Sequence, residues 1–370
     1  MRIVITGVDG FIGKNLRVRL TELGYAHVLG LTRNSTPAEF QQTLASADFV
    51  FHLAGINRPQ DPTDFVTGNT TFTQVLCTEL AETGRKVPVA FASSAQAGLD
   101  NAYGQSKLAA ERALEQYSAD TVAPVYIYRL NNVFGKWCKP NYNSAVATFC
   151  HNLARGLPVV VHDAASPLRL VYVDDVVDSF LGLLSVPPAP GGRVEVNPVY
   201  STTVGEVAET LGSFAHSRES LLAPRVGVGL LGALYSTYIS YLPPQAFGYQ
   251  LPVHRDPRGE FAEMLKTPDC GQFSYFTALP GVTRGEHYHH SKTEKFLVIK
   301  GTAHFGFRHI VTNEIHELVV QGGEARVVET VPGWTHNITN TGDDELIVML
   351  WANYIFDPQK PDTIAMKVAP

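Results

Sequence analysis

Cysteine is scarce: Cys77, Cys138, Cys150 and Cys270 are the four in 370 residues, and none stand in CxxC spacing. That argues against a disulfide framework and for thiols in an intracellular, cytoplasmic fold. Charge is sparse as well. Asp, Glu, Lys and Arg make up 17%, the formal net charge is -6, and no run of Lys or Arg occurs. Nucleic acid, which is gripped through its phosphates by clustered cations, is not an expected partner. Long apolar spans are also lacking. The uncharged residues 226–242 are broken by Gly227, Gly229 and Gly232 and by Ser236, Thr237 and Ser240, and they meet Pro243-Pro244. A buried helix at a domain or subunit junction is expected there, not a membrane span. The opening MRIVITG carries one positive charge and a β-branched run leading straight into glycine, which reads as a first strand and not as a signal peptide. Repeats and low-complexity segments are missing too.

What is present is 45% apolar residues over a length that exceeds a typical single core, so two domains are expected. To about residue 199 the chain alternates β-branched runs with helical stretches, the pattern of a Rossmann-like, doubly wound parallel α/β sheet. Strands are predicted at 2–6, 27–31, 49–53, 87–93, 125–128 and 159–161, with shorter pieces at 170–173 and 193–196. After Pro244 the texture changes to short strands separated by Gly, Pro and Asn, an all-β module of the size of a small barrel. The division is expected at 1–245 and 246–370.

The first strand runs into Gly7-Val8-Asp9-Gly10-Phe11-Ile12-Gly13, a GxxGxxG turn that opens a helix. Glycines there permit a tight turn, let backbone N–H groups reach a pyrophosphate, and let helix and strand approach closely. The second strand ends in Thr32-Arg33-Asn34, without the acidic residue that would hold the ribose hydroxyls of NAD. A cation at that point suits a 2′-phosphate, so NADPH is the expected cofactor with Arg33 as its partner. Leu53 and Ala54 close the third strand where backbone would pass the nucleotide. Ser93-Ser94 ends the next strand, and Tyr103 and Lys107 follow at i, i+4, on one helix face. A phenol titrating near pH 10 exchanges protons usefully only if a neighbouring cation tunes it. Tyr103, Lys107 and Ser94, with Ser93 as competitor, are the expected catalytic set.

These motifs resemble the extended short-chain dehydrogenase/reductase family of nucleotide-sugar epimerases, dehydratases and reductases. Arg129-Leu-Asn131-Asn132-Val-Phe-Gly135 and Arg169-Leu-Val-Tyr172-Val173-Asp174-Asp175-Val176 extend the resemblance, which implies that Asn132 and Arg169 face the substrate. Asp174 and Asp175 are read as a helix N-cap.

The second module carries Gly281…His287-Tyr-His289-His290…Glu294…Gly301 and then Pro332-Gly333-Trp-Thr-His336. Alternate residues of a strand share a face, so His287 and His289 point together and His290 away. Three imidazoles and a carboxylate suit zinc or another first-row divalent metal, so His287, His289, Glu294 and His336 are the expected ligands. The two stretches resemble the paired motifs of a cupin barrel. Val282-Thr-Arg284-Gly-Glu-His287-Tyr is similar to a stretch of the dTDP-sugar 3,5-epimerases, which implies a base at His287 with Arg284 on the substrate side. Residue type leaves His287 open as ligand or base.

A reductase of this kind fused to a cupin resembles the CapF family of capsular polysaccharide synthesis. The resemblance implies a homodimer acting on a UDP-linked 4-keto-6-deoxy-N-acetylhexosamine, with C3 epimerisation in the cupin and NADPH-dependent C4 reduction in the first domain. The expected product is UDP-2-acetamido-2,6-dideoxy-L-talose, a precursor of UDP-N-acetyl-L-fucosamine for capsule or O-antigen. Two alternatives stand beside it. One is a reductase or epimerase with a non-catalytic, metal-braced cupin that dimerises or binds sugar; the other is an NADP-binding sensor without turnover.

Overall fold

The computed structural model describes residues 1–185, 191–252, 254–256, 259–261, 265, 271–354 and 359–369. Cys77, Cys138 and Cys150 are thiols, and Cys270 lies outside the described residues. The chain divides into two compact units, one formed by Met1–Ser144 and Pro167–Thr202, the other by Ala145–Ser166 and Thr203–Pro370. Residues 203–245, grouped with the reductase by the sequence pattern, belong with the second unit in this division, as do residues 145–166.

In order along the chain the strands of the first unit are β1 (Arg2–Thr6), β2 (His27–Leu31), β3 (Phe49–His52), β4 (Val89–Ser94), β5 (Val125–Leu130), β6 (Asn132–Phe134), β7 (Pro167–Tyr172), β8 (Gly192–Val194) and β9 (Tyr200–Thr203). Helices α1 (Phe11–Glu22), α2 (Pro37–Ala45), α3 (Phe72–Glu82) and α4 (Ala102–Thr121) follow β1 to β4 in turn. Next come α5 (Ala145–Leu153), which belongs to the second unit, and α6 (Val173–Ser185). The main sheet is parallel in the order β2-β1-β3-β4-β5-β8. Helices α1 and α6 pack together, as do α2, α3 and α4. A sheet covered in this way needs strands that are apolar throughout, and Ile3, Val4 and Ile5 are all fully buried. Strand order reverses at β1, between β2 and β3, which opens a crevice at the carboxyl ends of β1 and β3. Three short strands, β6-β7-β9, form a separate sheet.

Two local expectations are corrected. Residues 159–161 form no strand: Pro158 has no N–H to offer, Val160 is 63% exposed, and no described strand pairs with them. Asp174 and Asp175 lie inside the first turn of α6 and do not cap it, and Asp174 accepts a 2.6 Å bond from the buried Lys136 ammonium.

In the second unit α7 (Val204–Ser220) and α8 (Gly229–Ser240) pack with α5. Residues 226–242 thus contain a buried helix, α8, with Ala233, Leu234, Tyr235, Tyr238 and Ile239 all inside. Among the described residues no helix is long and apolar enough to cross a membrane. The strands are β10 (Gly248–Gln250), β11 (His254–Asp256), β12 (Gly259–Phe261), β13 (Gln272–Ala278), β14 (Thr283–Tyr288), β15 (Glu294–Lys300), β16 (Thr302–His309), β17 (Ile315–Gln321), β18 (Arg326–Glu329), β19 (Trp334–Asn340), β20 (Leu346–Ala352) and β21 (Ile364–Ala365). Ten of them build two five-stranded sheets, β10-β18-β15-β20-β13 and β17-β16-β19-β14-β21, and β11 and β12 pair with each other as a separate antiparallel ribbon. Phe296 of the first packs on Phe305 of the second at 5.9 Å between ring centroids, so the apolar inner faces meet as in a cupin-like barrel.

Gly13 sets how closely α1 lies on the turn before it. A Cβ there would sit 2.3 Å from the Gly7 carbonyl oxygen, which is backbone and cannot swing aside. Gly13→Ala should therefore cost about 1–3 kcal/mol, as overpacking does, and lower the thermal midpoint. A variant as stable as the parent would contradict this close approach.

Candidate active site and metal centre

The crevice of the first unit is built from backbone. Gly7 has φ +68°, and a Cβ on it would lie 2.8 Å from Ala54 Cα, so only glycine lets the turn pass the end of β3. Gly10 caps α1 with no side-chain hydrogen bond, which leaves the first-turn amides of Phe11, Ile12 and Gly13 directed at the crevice. That arrangement, with no side chain filling the turn, fits the pyrophosphate of a dinucleotide. Leu53 N donates to Thr6 O and Ala54 N to Thr6 Oγ1, each at 3.2 Å. Thr6 Oγ1 also meets His52 Nδ1 at 2.8 Å, and His52 Nε2 meets Thr73 Oγ1 at 2.9 Å. Burial, with a contribution from Lys107, pushes His52 down to about 3, so it is a neutral brace beneath the crevice. Arg33 is exposed just past the end of β2.

Strand β4 delivers the two serines to different partners. Ser94 hydrogen-bonds the Tyr103 phenol. Ser93 Oγ donates to the buried Glu111 carboxylate, which also takes Arg129 Nε and Nη2 at 3.0 and 2.6 Å. Burial pushes the Tyr103 phenol up, with the Ser94 hydrogen bond opposing. Lys107, one turn along α4, is buried over the Phe91 ring and donates to Ala92 O at 3.0 Å. Burial pushes its ammonium down to about 8, against the pull of Glu111. Phe65 packs on the Tyr103 ring at 5.6 Å. Asn132 and Arg169 are exposed on the small β6-β7-β9 sheet.

Sequence reasoning passed over Glu111 and Asn69. Glu111 follows Lys107 by one more helical turn and holds Ser93, so only Ser94 is left to Tyr103; the i, i+4 spacing was the available signal. Asn69 stands on a π-helical turn, Val66–Thr71, a form found frequently at functional sites. It accepts from Ile56 N at 2.7 Å and donates to Ser106 Oγ at 3.0 Å, tying the chain after β3 to α4.

The second unit gathers His287, His289, Glu294 and His336, with one ligand atom of each lying within 4.8 Å of the others. His287 pairs with His336 across β14 and β19, next to a bulge at Glu286, which has φ +59°. His289 Nε2 lies 3.2 Å and His336 Nε2 3.5 Å from Glu294 Oε2. The Nδ1 atoms of His287 and His289 turn instead to the carbonyls of Gly285 and Asp362. Backbone acceptors on Nδ1 leave Nε2 lone pairs aimed inward, and this donor set fits a first-row divalent cation. His290 meets the Tyr288 ring edge-on and is not in the group. Burial, then the neighbouring imidazoles of His336 and His289, push His287 down to about 4. Burial would raise Glu294, yet His289 and His336 hold it well below the usual carboxylate range. Arg284 pairs with Ile338, two residues beyond His336 on β19, which puts it on the His336 face of the sheet, and its guanidinium lies over the Phe276 ring at 5.0 Å.

Comparison with known proteins covers both units. The NAD dependent epimerase/dehydratase family matches residues 3–196, and the polysaccharide biosynthesis C-terminal domain matches residues 254–364. A Pseudomonas aeruginosa protein named UDP-2-acetamido-2,6-beta-L-arabino-hexul-4-ose reductase is 52% identical over 368 residues, 100% of this chain and 99% of that one. The crystal structure of capsular polysaccharide assembling protein CapF from Staphylococcus aureus is 42% identical, with 99% of this chain and 100% of that chain covered at TM-score 0.69. A Thermotoga maritima UDP-glucose 4-epimerase is similar in fold, with 23% identity, 58% of this chain and 82% of that chain covered, and TM-score 0.52.

The buried Lys107 gives a signed pH dependence. Its ammonium titrates at about 8 in the fold and near 10.5 when unfolded, so between these values the unfolded chain binds more protons and stability rises with pH. Without nucleotide, the parent should gain stability relative to Lys107→Met from pH 8 to 10.5, and the two should run parallel below pH 7. Chemical denaturation across that range checks it, and parallel curves throughout would mean Lys107 is solvated.

Proposed function

The chain belongs to the NAD dependent epimerase/dehydratase family and, over nearly its full length, to the CapF family, and on that premise we propose that it runs two reactions on one nucleotide sugar. Its substrate is a UDP-linked 4-keto-6-deoxy-N-acetylhexosamine; the second unit inverts C3, and the first reduces the C4 ketone with NADPH to UDP-2-acetamido-2,6-dideoxy-L-talose. The reading carries with it a homodimer acting in the cytoplasm, with no nucleic-acid or membrane partner. The observation that carries the reduction is the Ser94–Tyr103 hydrogen bond with the buried Lys107 one turn further along α4, in a chain 52% identical to a protein named as a 4-ulose reductase.

The turn from Gly7 to Gly13 would hold NADPH, with Arg33 placed to take its 2′-phosphate, and the bound cofactor would supply the hydride for C4. Tyr103 keeps its proton at neutral pH, because burial raises it, and so is in the state needed to protonate the oxygen that develops at C4. Ser94, already bonded to that phenol, holds the same oxygen. Lys107 places a cation behind both, and Asn132 and Arg169 contact the sugar and its diphosphate.

In the second unit the C4 ketone makes the C3 hydrogen acidic, so a base can remove it from one face while a solvent-derived proton adds to the opposite face of the enolate. His287, the least buried of the four ligand residues, is the candidate base, with Arg284 on the same sheet face as the histidine cluster to hold the developing negative oxygen. A divalent metal held by His289, Glu294 and His336, zinc foremost, would supply Lewis acidity there. A second reading is favoured by one observation: with His287 counted as a ligand, all four positions are protein atoms, and closed sets of four are typical of structural zinc. The cupin would then brace a dimer or bind sugar without catalysing.

Proton NMR of the UDP-4-keto sugar with NADPH tests the reduction. Tyr103→Phe should slow product formation by about 10²–10⁴-fold with NADPH binding nearly unchanged, and normal turnover would remove Tyr103 from the mechanism. Arg33→Ala should raise the KM for NADPH about tenfold or more, the equivalent of ~1.4 kcal/mol, and leave that for NADH alone. Equal effects on both would make Arg33 an ordinary loop residue.

A further inference from the structure

Asp362 lies 73 residues from His289 in sequence, yet its backbone carbonyl accepts the hydrogen bond from His289 Nδ1. Its carboxylate grips the turn that joins β14 to β15. Oδ1 accepts from His290 N at 2.8 Å, while Oδ2 accepts from Ser291 N and Lys292 N, both at 2.7 Å, and from Ser291 Oγ at 3.0 Å. That turn carries His289 at one end and Glu294 at the other. The chain then continues as β21 along β14, with Ala365 opposite His287 and Ile364 opposite Tyr288. Met366 N donates to Glu286 O and Val368 N to Glu286 Oε2, so the same segment also fixes the bulge that precedes His287.

We propose that residues 359–369 form a strap that sets the geometry of the metal centre, with Asp362 as its positioning residue. This rests on the reading of His287, His289, Glu294 and His336 as a metal site. The chemistry is specific. An imidazole whose Nδ1 donates to a fixed carbonyl has its tautomer and ring plane set, and Nε2 is then presented to the metal. Three consecutive amides pointing at one carboxylate hold the turn in one conformation, so His289 and Glu294 cannot drift apart. Asn353 supports the other side of the turn through Thr293 N, at 2.8 Å, and Ser236 of α8 donates to Ser291 O at 2.6 Å. Neither of them bonds a ligand side chain. Asp362 is the residue that joins the turn to a ligand ring.

The test uses the full chain, with zinc affinity read by competition against a chromophoric chelator and geometry read from the visible bands of the cobalt(II) form. Asp362→Asn keeps the size of the side chain but sets an NH₂ group against amide donors. It should weaken zinc about 10- to 100-fold and shift the cobalt bands, with circular dichroism unchanged. Arg308→Lys is the control, because Arg308 holds the far end of the strap through Lys367 O and Val368 O. It should lower thermal stability yet leave the bands and affinity alone. Should Asp362→Asn not fold, Asp362→Glu, which displaces the charge by one methylene, gives the same comparison. Parent protein that takes up no zinc would sink the metal reading itself. A parent that binds zinc, with a position-362 variant matching it in affinity and bands, or with Arg308→Lys equally weakened, would overturn the positioning role and leave the metal site standing.

Discussion

A carboxylate taken out of water costs several kcal/mol unless it is paired, and the surroundings of three glutamates follow from that constraint. Glu111, Glu294 and Glu329 are almost wholly buried. Glu111 is satisfied by Ser93 and Arg129, which locks β4, β5 and α4 together next to the candidate residues Ser94 and Lys107. Glu294 is met by His289 and His336, and by Lys292 at 2.6 Å, which assembles the candidate metal centre from a turn and two strands. Glu329 is met by Arg218 of α7 and Lys295 of β15, which fastens the helices of the second unit to its barrel. Each pairing draws together elements distant in sequence, and two of the three border a site. Stripping any one of the three of all its partners would leave an uncompensated charge inside, so each pairing constrains the elements that carry it.

The same constraint separates the two candidate sites. In the first unit the buried charges are arranged around a phenol that holds its proton and an ammonium poised to lose one, which suits proton delivery to an oxygen. In the second unit one carboxylate is shared by imidazoles turned inward, which suits a cation and the removal of a proton from carbon. In the proposed function a C4 ketone would serve both, as the group reduced in the first unit and the group that acidifies C3 for the second.

The parts legible in the sequence were those written within a few residues. The glycine turn after β1, the i, i+4 pair Tyr103 and Lys107, and the spacing of His287, His289 and Glu294 are local patterns whose geometry follows from strand and helix periods. The alternation rule separated His289 from His290, although the bulge at Glu286 interrupts the strand there. What escaped was fixed by tertiary contact. Ser93 and Ser94 are adjacent and chemically alike, and only Glu111, on another element, tells them apart. Asp362 resembles any loop aspartate until β21 is laid against β14. Val159-Val160-Val161 has strand composition but no neighbour to pair with, and Asp174 reads as a cap until Lys136 is brought against it.

Solvent exchange at C3 decides most directly whether the two reactions belong to separate units. The UDP-4-keto sugar would be incubated in D₂O without NADPH, and deuterium at C3 followed by NMR for the parent, Tyr103→Phe, and His287 and His336 variants whose fold and metal content have been checked. Parent-like exchange is expected in Tyr103→Phe, and loss of exchange in the histidine variants. Parent-like exchange in folded histidine variants together with loss in Tyr103→Phe would contradict that separation, assigning both reactions to the first unit and leaving the cupin a structural or binding role.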